Sequence, residues 1–153
     1  MKLTYPLFLI SVTAWWFGTV LIDFFIVPSV FRIIENFFNA GHLGIHVFSA
    51  FNKIELVLAS LLVIVCLQTR KKILIFSSLI LFILIMTYFS YLTPKITELT
   101  VLWEKSENII LNGRDYQQEH QYFHKIYVGL DSVKLLILSA LLGFGLFKRE
   151  RFP

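Results

Sequence analysis

The chain has 153 residues, of which 57% are hydrophobic and 16% charged, and its formal net charge is +4. Soluble domains run at ~45–50% apolar and ~25% charged residues, so this balance excludes an ordinary soluble domain, a disordered chain and a collagen-like fibre. One cysteine, Cys66, excludes a disulfide framework and a cysteine metal knot.

Four stretches reach the ~20 apolar residues needed to cross a bilayer: residues 6–27, 43–67, 73–92 and 126–147. They are continuously apolar, whereas barrel strands alternate every second residue, so a β-barrel is excluded. The first run follows Lys2 and continues for 22 residues without a small-residue cleavage site, so it reads as a retained anchor. Trp15 and Trp16 sit in its middle, away from the usual interfacial belt, and at least one is expected to pack inside beside Gly18. A 15-residue loop holding Arg32 leads to the second run. The third run has no charged residue and reads as a lipid-facing wall.

The connection from the third run to the fourth is long but patterned. Ile96, Leu99, Trp103 and Ile110 recur at helical spacing, so the third helix continues past the membrane, with Pro94 as a kink. Asn112-Gly113 stops it, and Asp115 with Gln118 forms a capping signal for the next helix. Residues 94–125 should therefore be a helical hairpin standing ~20–25 Å beyond the membrane, at ~1.5 Å per residue. The expected fold is one domain over 1–153: an all-α, polytopic four-transmembrane-helix bundle with this extramembrane hairpin between helices 3 and 4. Lys2, Arg70, Lys71, Lys72, Lys148, Arg149 and Arg151 fall on one side, which places both termini in the cytoplasm of a bacterial inner membrane. Basic residues beside membrane crossings imply the lipid bilayer as partner rather than nucleic acid.

Ionisable residues inside spans are costly and point to function. On the fourth helix His120, His124, Tyr127, Asp131 and Lys134 follow at steps of four and three, so they form one polar stripe. On the second, His42, His46, Ser49 and Lys53 form another, with Glu55 turned away beside Asn52. With Asp23, the spans hold three carboxylates against Lys53 and Lys134. One acid is left over and must be protonated, hydrated or bound to a cation. Glu55, the thirteenth of 25 residues in its span, is deepest and is the candidate. The i,i+4 pairs His42/His46 and His120/His124 have the spacing to share zinc or copper. No other cofactor is indicated. The same polar residues can equally serve as structural ion pairs and hydrogen bonds that hold the bundle together.

Trp16-Phe17-Gly18, Asp23, Pro28-x-x-Phe31, Ala40-Gly41 and Phe48, then His124 and Asp131, resemble the bacterial membrane domain of unknown function related to transmembrane-protein-205-like proteins. Asp131 stands where that pattern suggests asparagine. The resemblance spans nearly the whole chain and implies four membrane helices with an uncharacterised activity. More distantly the layout is similar to CopD-type copper-resistance proteins and HemJ-type protoporphyrinogen oxidases. The latter carry a histidine in the first helix, and this first helix has none. The reading is a non-enzymatic membrane protein whose polar interior binds or moves a proton, small cation or metal. The alternatives are an accessory subunit that binds a membrane partner or a second copy through the hairpin and, third, a membrane redox enzyme.

Overall fold

The computed structural model describes residues 3–106 and 115–147. It is an all-α bundle of four long helices: α1 (Thr4–Ile33), α2 (Phe37–Thr69), α3 (Lys72–Ser106) and α4 (Tyr116–Phe147). Each is long and apolar enough to cross a membrane. Such helices, apolar all round, close their backbone hydrogen bonds internally, which hydrocarbon requires. Their ends follow from local chemistry. The Asn36 side chain accepts from Asn39 N at 3.0 Å and opens α2. Arg70 takes the left-handed conformation (φ 56°) and closes it, and the extended Lys71 turns the chain into α3. Asp115 Oδ1 accepts from Gln118 N at 3.0 Å and opens α4, as its capping signal suggests.

The helices form a closed antiparallel ring in which α1 and α3 each pack against both α2 and α4. At the end holding Thr4, Thr69, Lys72 and Phe147 the core is apolar. Phe8, Val12, Leu62, Leu81, Ile85 and Leu138 are fully buried there. Gly145 lets α1 and α4 close up, since a Cβ on it would lie 2.7 Å from Leu9 Cδ2 and 3.0 Å from Phe8 Cε1. Gly143 has nothing within 4 Å and plays no such part. Gly18 is pressed against the Phe51 ring, and Trp15 beside it is fully buried, so one of the paired tryptophans packs inside as expected.

Pro6 sits in the first turn of α1, where its missing N–H costs nothing, and the two prolines in helix interiors are both preceded by a π turn. A proline has no N–H for the carbonyl four residues back, and its ring crowds that carbonyl. Widening the winding just before it re-registers the freed groups. In α1 the π turn is Ile22–Ile26 before Pro28, and in α3 it is Tyr88–Leu92 before Pro94. The disturbance expected at Pro94 therefore lies inside the bundle, not in the hairpin arm.

Three further expectations change. The 15-residue loop is mostly helix, because α1 runs to Ile33 and Asn36 starts α2 early, leaving Ile34–Asn36 as the turn. Helix α3 is no lipid-facing wall; it buries Leu74, Ser78, Leu81, Ile85 and Tyr88 as a full member of the ring. The hairpin arms are helical but do not stand alone. The outer end of α2 packs with them, with Phe37 and Phe38 each 5.3 Å from Trp103, ring centre to ring centre. Ile110, the Asn112-Gly113 stop and the basic residues Lys2, Lys148, Arg149 and Arg151 lie outside the described residues.

Candidate functional site

The acidic cluster sits on the bundle axis, just beyond the apolar core. Residues Trp15 and Thr19 of α1, one helical turn apart, point inward and meet Glu55 of α2. Trp15 Nε1 donates to Glu55 Oε1 at 2.7 Å, and Thr19 Oγ1 donates to the same oxygen at 3.4 Å. From the diagonal helix α4, Lys134 Nζ also donates to that oxygen at 2.7 Å, with both side chains essentially sealed from solvent. Glu55 Oε2 has no hydrogen-bond partner among the described residues. Asp131, one turn before Lys134, forms a second ion pair with it. The ammonium is further held over the rings of Phe51 (5.9 Å) and Tyr88 (5.6 Å), where the ring quadrupoles favour a cation.

Asp23 completes the cluster. It lies in the π turn of α1 and lines, together with Asp131, one cleft at the α1–α4 seam. Two carboxyls on one cleft beside a single ammonium are held at least cost with a proton on one of them, because like charges oppose the ionisation of both. Tyr88, in the π turn of α3, stacks on Tyr127 of α4 with ring centres 4.6 Å apart. Both π turns thus contribute a side chain to one site.

A cleft of about 230 Å³ opens between α1 and α4 onto this cluster. Asp23, Asp131, Tyr127 and Ser132 supply its polar lining, and Phe24, Phe48 and Val128 are among its apolar walls. His124 lines its outer part. On the other side of Glu55 and Lys134 the buried side chains are those of the apolar core, and its hydroxyls are turned onto backbone: Ser11 donates to Leu7 O and Ser78 to Ile75 O. The cleft extends from the cluster toward His124, on the hairpin side, while the core toward the other end is apolar.

The sequence-derived stripe on α4 is half correct. Tyr127, Asp131 and Lys134 are buried together, while His124 is exposed. The stripe on α2 faces the wrong way: His46 and Lys53 are exposed, and the buried positions are Phe51, Asn52, Glu55 and Ala59. A helix can turn only one face to the axis, and the face of Gly44, Phe51, Ala59 and Leu62 packs better. Lysine tolerates the outside because its long stem carries the ammonium to water. Lys53 therefore leaves the cluster, and Glu55, far from being the unpaired acid, is the counter-ion of Lys134. Three carboxyls share one buried lysine, and the acid without a base is Asp23.

The four histidines do not converge. His42 Nε2 pairs with Glu104 Oε2 at 2.8 Å, bridging α2 and α3. His120 and His124 stack on α4, ring centres 6.0 Å apart, with His120 against Trp103. Among the described residues no three histidine, cysteine or carboxylate side chains form a metal-holding group. The zinc or copper site expected from i,i+4 spacing is not assembled, because the α2 pair is turned away from the α4 pair.

Trp15, Thr19 and Tyr88 are site residues that sequence reasoning missed. For α1 a signal existed: Trp15, Thr19 and Asp23 are polar-tipped groups spaced by four, hence on one face. No family model, curated protein or solved structure matches this chain.

Proposed function

We propose that this integral membrane protein is a non-enzymatic proton-binding protein whose exchangeable site is the Asp23–Asp131 carboxyl pair, reached from the hairpin side. The observation that supports this reading is the charge surplus: Asp23, Glu55 and Asp131 surround Lys134, the one buried base among the described residues. Three carboxyls against one ammonium leave two surplus negative charges; a proton shared by Asp23 and Asp131 removes one, and the other is left where the cleft opens. Glu55, Lys134, Tyr88, Tyr127 and His124 are the titratable groups around that pair. Asp23 is suited to exchange because it is only partly buried and lines the open cleft. The apolar core beyond Lys134 favours binding from one side over a continuous pore.

The test is proton uptake by the full chain in vesicles when the pH on the hairpin side is lowered across the whole titration of the pair. Wild type should take up about one proton more per chain than Asp23→Asn, the stoichiometry of one shared carboxyl proton. Equal uptake by the two would remove the proposal.

Orientation belongs to the same reading. With Arg70 and Lys71 in the turn and Lys148, Arg149 and Arg151 near the end, both termini lie in the cytoplasm of a bacterial inner membrane. Alkaline phosphatase fused after Arg151 should be inactive, and fused near Asn112 active. The reverse pattern would put the cleft on the cytoplasmic side.

A further inference from the structure

The cleft between α1 and α4 is larger and more apolar than a proton needs. Its volume of about 230 Å³ is room for an aromatic ring carrying an ammonium group. Its mouth is framed by Phe24 and Val128, 63% and 49% exposed. These residues lie in the apolar runs and so face lipid rather than the bundle. Tyr127, only 6% exposed, lines the cleft. At the floor are Asp23 and Asp131; the lining holds no lysine or arginine, and its one imidazole, His124, stands in the outer part. Phe48 and Tyr127, 5.4 Å apart and edge to face, offer ring surface on one wall.

We propose that this cleft binds a lipophilic ammonium ion, entering sideways from the bilayer, with its cationic head on Asp23 and its apolar body between Phe24, Phe48 and Tyr127. The inference rests on the proton-site reading and extends it. A hydrated metal ion would find too few oxygen ligands here and too much aromatic wall. An ammonium with alkyl or aryl substituents is weakly hydrated and gains from both carboxylate and ring faces. The proton held between Asp23 and Asp131 leaves as the ammonium arrives, because the site then has its compensating charge. Binding is therefore competitive with protons: it strengthens as pH rises, with about one proton released per cation bound.

The experiment uses the full chain in phosphatidylglycerol vesicles, which contain no amine lipid, with benzyltrimethylammonium as probe. Saturable binding should appear at pH 8, weaken at pH 6, and fall about tenfold or more in Asp23→Asn. The uncharged carbon isostere, neopentylbenzene, should bind at least as weakly as the probe does to Asp23→Asn. Val128→Trp should abolish binding by filling the mouth, which guards against an Asp23 variant that merely misfolds. Lys53→Gln, a change on the outside of α2, should bind as wild type does. Adding phosphatidylethanolamine should leave binding intact if the site takes free amines. Complete displacement by that lipid would overturn the free-amine assignment in favour of a headgroup. Asp23-dependent proton uptake without probe binding overturns the ammonium inference and leaves the proton site standing. Loss of both overturns both.

Discussion

Lys134→Met should unfold far more readily than wild type, losing about 3–5 kcal/mol, the usual cost of breaking a buried ion pair by removing one partner. The ammonium is the shared partner of Glu55 and Asp131, and its removal leaves two buried acids facing each other. Methionine fills nearly the same volume and keeps the contacts with Phe51 and Tyr88, so the loss reports charge rather than packing. A double-mutant cycle makes the test specific. Glu55→Gln together with Lys134→Met should be less damaging than the sum of the two single changes, because each removes the other's unpaired charge. Strict additivity in thermal unfolding in detergent would mean that the pair is not formed.

The carboxyl variants should separate by role. Glu55 accepts three hydrogen bonds on one oxygen, two of them at 2.7 Å from Trp15 and Lys134. Glu55→Gln keeps its shape but removes the charge facing Lys134, so about 2–3 kcal/mol should be lost, in the range of a hydrogen bond to a charged group. Asp131→Asn should cost a similar amount for the same reason. Asp23 has no ion pair among the described residues, and asparagine in its place keeps a polar, uncharged group on the cleft beside Asp131. Asp23→Asn should therefore stay within about 1 kcal/mol of wild type. Unfolding curves for the three variants on one scale check this order. A destabilisation by Asp23→Asn as large as that of Glu55→Gln would place a cation on Asp23 in the folded protein.

The sequence carries the architecture because each span announces itself through an unbroken apolar run, and a helix is the one single-chain answer to such a run in lipid. It carries half the site for a related reason. On α4, Tyr127, Asp131 and Lys134 share a face with Leu138 and Leu141, so polarity and packing agree on which side turns inward. On α2 they disagree. His42, His46 and Lys53 mark one face by polarity, while Gly44, Phe51, Ala59 and Leu62 mark another by packing, and packing prevails. That single choice of rotation moves Lys53 outward, brings Glu55 onto Lys134, and passes the surplus acid from Glu55 to Asp23. The π turns are hidden for a different reason. Pro28 and Pro94 signal a disturbed helix, but whether it bends, breaks or widens depends on neighbours that only the assembled bundle supplies. Asp23 lies in the widened turn before Pro28, on the cleft it shares with Asp131.

The shared proton between Asp23 and Asp131 can be observed by infrared spectroscopy of the full chain in vesicles. A protonated carboxyl has a carbonyl stretch distinct from that of a carboxylate, and it shifts on exchange into D₂O. Wild type at neutral pH should show one such band, lost in Asp23→Asn and in Asp131→Asn but retained in Glu55→Gln. A band that vanishes only in Glu55→Gln, or no protonated carboxyl at all, would contradict the account.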